Sequence, residues 1–262
     1  MDQREPALVV RNLNGKNSET MRILDAIGRI PSGPAKFMEV CGTHTVTIYR
    51  SGIRSRLLHE KGVELVSGPG CPVCVTAASE IEDVASLASE RKDIILTTYG
   101  DLMKVPGQHR SFSEARAAGA DIRLILSPLD NLKIARENPR REVTFFSIGF
   151  ETTQPAAGHT ILQAEKQDIR NFSVYVSHKL VIPILEVLVN NEKLTLDGFI
   201  LPGHVSTIIG TEPYKFIARK NGVPCVIGGF EPEDVIYAVC HLLRMKYSKK
   251  PDVINAYPRA VH

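Results

Sequence analysis

Cys71 and Cys74 stand two residues apart in VSGPGCPVCVTAASEIEDVASLA, where an apolar strand hands over to a helical stretch. Thiols at a helix N-terminus lie near the positive end of the helix dipole and near unpaired backbone N–H groups. Both favour thiolate, the form that attacks disulfides or binds metal. Gly68, Pro69 and Gly70 let the chain turn sharply into the helix, and Pro72 fits early in it, where its missing N–H costs nothing. Such a pair is equally suited to redox work or to half of a structural zinc site. A second CxxC is absent, so zinc would have to recruit Cys41 and His44 from FMEVCGTHTVTIY, giving a Cys3His set. Those two are three residues apart at another strand end. With a helix expected over Val46 to Leu58, Cys41 falls at or just before the first turn, and its thiolate is favoured for the same reason. Gly42 permits close approach of a ligand or a neighbouring backbone. A lone loop cysteine is more commonly an inert buried group; the adjacent glycine and the histidine on the next turn weigh against that here.

Further polar residues follow apolar runs. Glu151 closes the VTFFSIGF run ahead of two threonines, where it could bind metal, accept a proton or cap the following helix. His204 follows a Pro-Gly turn in LPGHVSTIIG, placed for catalysis or for simple turn chemistry. Glu231 precedes a Pro-initiated helix in GGFEPEDV, where capping by Glu233 or Asp234 explains the pattern without function. His178 and Lys179 close another run. Cys225 and Cys240 read as core residues. The chain has no P-loop lysine motif, no GxGxxG after the first strand, no GxSxG elbow and no HExxH, so the common nucleotide, hydrolase and zincin readings lack their residues.

These residues need a scaffold, and the scaffold is α/β. KFMEV, VELVSG, DIILTTYG, DIRLILS, VTFFSIG, FSVYVS, GFILPG and PCVIGG are short, mostly continuous apolar runs, as parallel strands covered on both faces require. Helical periods alternate with them. Ile81, Val84, Ala85 and Ala88 make one apolar stripe, with Glu80, Glu82, Asp83 and Glu90 elsewhere on the helix; Val235, Val239 and Leu242 make another. A polar break at ARENPRREV leads us to expect two Rossmann-like domains of four strands each, residues 1–140 and 141–262. Their mainly parallel sheets would face each other across a cleft. CGTH, GPGCPVC, YGD, GFETT, SHK, PGH and GFEP each directly follow a candidate strand, on the sheet edge where ligands bind in such folds. The final SKKPDVINAYPRAVH shows no clear secondary structure.

Composition bounds the rest. A formal charge of +3 without basic runs argues against nucleic acid, and no apolar stretch is long enough for a membrane span. The charged start MDQREPALVVRNLNG does not read as a leader, and five cysteines argue against a disulfide framework, so the expected compartment is cytoplasmic.

At MEVCGTHTVTIYRSGIRSRL and LVSGPGCPVCVT, and in register through SIGFETTQPAA, LPGHVSTIIG and GGFEPEDV, the chain resembles the HypD family of nickel–iron hydrogenase maturation scaffolds. The resemblance implies that Cys41 binds the iron of a nascent Fe(CN)2CO group, shared with a HypC-type small chaperone through that partner's N-terminal cysteine, with His44 beside it. It implies that Cys71 and Cys74 form a thiol–disulfide couple, and that a HypE-type partner delivers cyanide. Glu151, His204 and Glu231 would then orient or protonate. Two departures stand out. Val46 replaces the second histidine of CGTHxH. The four cysteines that hold a 4Fe–4S cluster in a C-terminal family domain are absent, which leads to the expectation that this domain is missing, so that either an external donor reduces Cys71 and Cys74 or the protein is not fully active. Two alternatives from other classes are a zinc-stabilised protein using Cys41, His44, Cys71 and Cys74, and an oxidoreductase using Cys71 and Cys74 alone.

Overall fold

A computed structural model describes residues 26–30 and 32–262. The charged start of the chain lies outside the described residues. The strands are β1 (Ala35–Glu39), β2 (Val63–Ser67), β3 (Ile94–Thr98), β4 (Ile122–Leu124), β5 (Glu142–Gly149), β6 (Phe172–His178), β7 (Gly198–Pro202), β8 (Cys225–Gly228) and β9 (Val253–Asn255). All pair in parallel, in a five-stranded sheet of order β2-β1-β7-β8-β9 and a four-stranded sheet of order β4-β3-β5-β6. Helices connect them, as parallel pairing requires. The α/β class with two mainly parallel, Rossmann-like sheets is therefore what the strand and helix patterns imply.

The partition along the chain is different from the one expected. One compact unit takes the described residues up to Cys71 together with Val181–His262, and the other is Pro72–Leu180. The expected boundary near residue 140 instead falls within the four-stranded sheet, because β5 pairs with β3 across that break. The first crossing between the units lies inside the Cys71–Cys74 motif. The closing segment also differs from expectation: Val253–Asn255 adds a strand beside β8.

In the first unit, Phe37 of β1, Ile200 of β7 and Val226 of β8 pack with Ile48, Ile53 and Leu57 and with the stripe Val235, Val239 and Leu242 of the helix Pro232–Ser248; all are essentially fully buried. Each such side chain contributes about 1.5–3 kcal/mol on burial. In the second unit the stripe Ile81, Val84, Ala85 and Ala88 of the helix Ala78–Glu90 packs with Leu96, Phe112, Phe146 and Ile148. Glu82, expected on the polar face of that helix, is buried. Its carboxylate accepts from the backbone N–H groups of His109 (2.9 Å) and Arg110 (3.1 Å) and from the Arg110 guanidinium (3.2 Å), anchoring the loop that follows β3. No helix among the described residues is long and apolar enough to cross a membrane.

Parallel pairing puts the loops that follow the strands of one sheet on one edge. CGTH, GPGC, PGH and GGFEP follow β1, β2, β7 and β8 of the five-stranded sheet, whereas YGD, GFETT and SHK follow β3, β5 and β6 of the four-stranded one. In the first sheet the strand order reverses between β1 and β7, and in the second between β3 and β5. A crevice opens at such switch points, and ligands bind there in open α/β sheets.

Candidate metal and thiol site

Cys41 stands at the switch point of the five-stranded sheet, as the N-cap of the helix Gly42–Arg50. That helix starts four residues earlier than its apolar pattern implied, so Cys41 abuts its first turn. The thiol is 7% exposed. Burial pushes its pKa up; the N–H groups of Thr43 and His44 and the Thr43 hydroxyl, all close to the sulfur, pull the other way without prevailing. The thiolate expected from the helix dipole alone is thus opposed by desolvation, which favours the protonated thiol.

Two residues before it lies a group the motif reading passed over. Glu39 ends β1, opposite Ser67 of β2 and Ile200 of β7, and is 1% exposed. Its carboxylate accepts from the Cys41 N–H (2.9 Å) and from the Thr45 hydroxyl (2.5 Å), so it binds both ends of the first helical turn. Burial raises its pKa, against the lowering influence of Thr45, Cys41 and Ser67. A carboxylate two residues ahead of a helix N-cap, with a hydroxyl six residues on, is the sequence signal that could have revealed it.

The GPGC loop interlocks with this turn. The Gly68 N–H donates to the Glu39 carbonyl (2.7 Å), and the Gly42 N–H donates to the Gly70 carbonyl (3.3 Å). Gly70 lies so close to Val40 and Cys41 that a methyl group there would overlap their backbone, and one on Gly42 would come 3.0 Å from the Cys71 Cβ. The close approach expected at Gly42 is therefore made by the Cys71 loop. Cys71 is half-buried.

His44, one turn into the helix, is fully buried and points at the GGFEP loop. Its Nε2 lies 2.8 Å from the Gly229 carbonyl oxygen. A carbonyl only accepts, so Nε2 carries the proton. Nδ1 is buried with no hydrogen-bond partner. Burial lowers the pKa to about 4, helped by the charge of nearby His204 and opposed by the Gly228 and Gly229 carbonyls and by Asp234. Phe230 stacks on His204 at 3.9 Å between ring centres and lies 4.9 Å from the His44 ring at a tilt. Thus the His204 and Cys41 loops emerge from the adjacent strands β7 and β1, and His204 and His44 share one phenyl ring. Desolvation lowers the His204 pKa too. Glu231 does not join them. It is exposed and is the N-cap of the helix Pro232–Ser248, its N–H donating to Asp234 (3.1 Å), which is the capping arrangement.

Cys74, Glu151, His178 and Lys179 belong to the second unit, and Cys225 and Cys240 to the first. Cys74 is exposed, in the short helix Pro72–Val75. Glu151 is buried in the loop after β5, at that sheet's switch point. The Thr153 hydroxyl turns back to the Phe150 carbonyl (3.1 Å) and so shapes the GFETT turn. His178 bonds Ser147 (2.9 Å), and Lys179 pairs with Glu80 (3.2 Å), which also accepts from Ser177 (2.7 Å); both are structural partnerships. Cys225 is fully buried and its thiol is pushed far up by burial, and Cys240 is pushed up to about 11, in keeping with core roles. No group of three or more His, Cys, Asp or Glu among the described residues converges in the way a metal-holding cluster does.

A protein-family model described as "HypD: Hydrogenase formation hypA family" matches residues 18–262. The chain belongs to the HypD family. It is similar to the hydrogenase maturation factor HypD of Rhodobacter capsulatus, with 44% identity over 258 residues that cover 98% of this chain and 67% of that one. Hydrogenase maturation factor HypD2 of Bradyrhizobium diazoefficiens is 48% identical over 238 residues, covering 88% and 62%. The HypD of Escherichia coli is 44% identical over 228 residues, covering 87% and 60%. The chain therefore spans between 60% and 67% of the length of these HypD relatives. The HypD match takes in all seven strand-end loops, including the interlocked CGTH and GPGC turns.

Proposed function

We propose that this chain is the iron-handling part of a hydrogenase maturation factor, with iron as its cargo on Cys41 while cyanide and carbonyl ligands are assembled around it. The single observation that carries this reading is the placement of Cys41. It is a buried thiol at a helix N-cap, on the switch-point loop, three residues from a neutral imidazole and locked against the Cys71 loop. Thiolate is a soft donor suited to low-spin iron that bears strong-field ligands. Cys41 and His44 supply at most two donors, which leaves coordination positions for the cargo's own ligands and for a thiolate from a HypC-type partner. A closed structural zinc site needs four protein donors, and no group of three converges among the described residues.

Burial gives Cys41 a further property. A thiol held neutral keeps its proton until a cation displaces it, so loading is coupled to proton release. Cys71 and Cys74 serve as the reductant in this scheme: as their disulfide forms, the dithiol yields two electrons and two protons that cleave the S–CN bond of a thiocyanate on a HypE-type partner to a thiol and a cyanide, and a thiol or iron–sulfur donor restores it. A HypE-type partner supplies the cyanide. His204, on the loop after β7, orients or protonates ligands.

The test is metal content after anaerobic co-purification with a HypC-type partner. About one iron per complex is expected, with infrared bands of bound cyanide and carbonyl, and Cys41→Ser should abolish it. Iron retained in Cys41→Ser defeats the assignment. Stoichiometric zinc in place of iron, with chelator-sensitive melting, returns the protein to the structural-zinc reading.

A further inference from the structure

The stretch Ala256–Val261 has no role so far, and its Tyr257 packs against the PGH and GGF loops. Tyr257 packs edge-on against Phe230 at 5.8 Å between ring centres. Its ring also fills the space beside two glycines: a methyl group on Gly203 would come 3.0 Å from it, and one on Gly229 would come 2.7 Å from it. The PGH and GGF loops are therefore both shaped around one tyrosine. Arg259 covers the other side of that ring, its guanidinium 4.5 Å from the ring centre, and donates to both Asp234 oxygens, one at 2.9 Å. Asp234 also packs against Gly229 and accepts from the Glu231 N–H. Tyr257 and the Arg259–Asp234 pair thus crowd one face of Gly229, whose carbonyl accepts from His44 Nε2.

We infer that Tyr257, Asp234 and Arg259 form a latch that fixes the Gly229 carbonyl, so that His44 is held as its Nε2–H tautomer with Nδ1 left as an open, buried lone pair. An imidazole with one nitrogen tied to a carbonyl presents the other as a directed donor, which is how metal-binding histidines are oriented. The orphaned Nδ1 is the observation that points to a ligand: a buried nitrogen with no hydrogen-bond partner is costly unless something occupies it. The ligand class that fits is a borderline-soft first-row divalent metal ion. Tyr257, Asp234 and Arg259 are positioning residues, acting through Gly229.

The inference about the ligand rests on reading Cys41 and His44 as metal donors, whereas the latch itself is tested without metal. Long-range proton–nitrogen NMR of 15N-histidine-labelled chain reports the tautomer directly, with His44→Gln assigning the signal. Wild type should show a protonated Nε2 and an unprotonated Nδ1 at neutral pH. Arg259→Gln and Tyr257→Leu should admit the other tautomer, and Tyr257→Phe, which keeps the ring, should retain the wild-type pattern. An Nδ1–H signal in the wild type overturns the latch, and so does an unchanged tautomer in Arg259→Gln and Tyr257→Leu. Arg259 is exposed, so its variant keeps the test available should Tyr257→Leu fail to fold. In a separate arm, anaerobic titration with Co(II) follows thiolate-to-cobalt absorption. About ten-fold weaker binding is expected in Tyr257→Leu and Arg259→Gln, and unchanged binding in Tyr257→Phe. Cobalt binding that is absent from the wild type, or unaltered in the variants while the tautomer shifts, removes the donor role of His44 and leaves the latch standing.

Discussion

The buried imidazole of His44 makes the fold acid-sensitive. The folded chain lowers its pKa from 6.5 to about 4, chiefly by desolvation. Between those values the unfolded imidazole binds a proton that the folded one refuses, so stability rises with pH across that window and is lost as pH falls through it. With one titrating site, the loss relative to slightly alkaline solution is about 2 kcal/mol at about pH 5 and about 3 kcal/mol at about pH 4. Glu39, whose pKa is raised, contributes with the opposite sign: its stabilisation is present at low pH and lost as pH rises through the folded value. A bare pH profile therefore mixes the two. The clean observable is the difference between wild type and His44→Gln, in which the amide can still donate to Gly229 but does not titrate. Urea unfolding followed by circular dichroism, at a series of pH values from about 7.5 to about 5, should show the wild type losing about 2 kcal/mol relative to the variant. Parallel stability curves for the two proteins would refute the reasoning, because the imidazole would then titrate alike in both states.

Three other outcomes follow from the same neighbourhood. Glu39→Ala leaves the buried Cys41 N–H and the Thr45 hydroxyl without their acceptor and should cost about 2–4 kcal/mol in urea unfolding, against about 1 kcal/mol for Glu39→Gln, which keeps one acceptor. A Glu39→Ala loss below about 0.5 kcal/mol would mean that the carboxylate is not a structural clamp. Gly70→Ala forces a methyl group into the backbone of Val40 and Cys41 and should cost about 2–3 kcal/mol, visible as a lower melting temperature; an unchanged melting temperature would show that the two loops are not interlocked. Alkylation by iodoacetamide, resolved by mass spectrometry over time, should modify exposed Cys74 first, half-buried Cys71 next, Cys41 slowly and Cys225 only on unfolding. Labelling of Cys41 as fast as Cys74 would contradict its burial.

Part of this was written locally in the sequence and part was not. Strand ends could be placed from apolar runs and the polar loops after them, and the stripes of Ile81 and Val235 reach their cores because helical periodicity is a local property. Sheet membership is not local. The runs that become β5 and β7 are equally apolar, and nothing within either tells that the first joins β3 while the second lies beside β1, more than 150 residues upstream. A polar break then misleads, because ARENPRREV is a connection between two strands of one sheet. Charge states fail for a related reason. The dipole argument for a Cys41 thiolate uses only the helix, whereas the desolvation that outweighs it comes from distant elements closing over the thiol. Glu39 was hidden by the same effect, since a carboxylate in a short strand reads as an edge residue until both neighbouring strands are known.

The inserted unit explains why the candidate site is assembled from such distant stretches. Along the five-stranded sheet the loops follow the order of β2, β1, β7 and β8, so GPGC, CGTH, PGH and GGFEP are neighbours in space although residues 72–180 separate the first pair from the second in the chain. A reversal of strand order between β1 and β7 opens the edge at the point where Cys41 and His204 emerge. Packing then narrows what can occupy it. Gly42 and Gly70 bring the Cys71 loop against Cys41, while Phe230 and Tyr257 fill the other side with rings rather than carboxylates. Near Cys41, the carboxylate of Glu39 is already occupied by the helix turn. On the proposed reading the cation's donors are the Cys41 thiol and the His44 imidazole, with the Cys71 thiol beside them. Two donors are too few to cage a structural metal, and they suit a metal whose other ligands come from elsewhere.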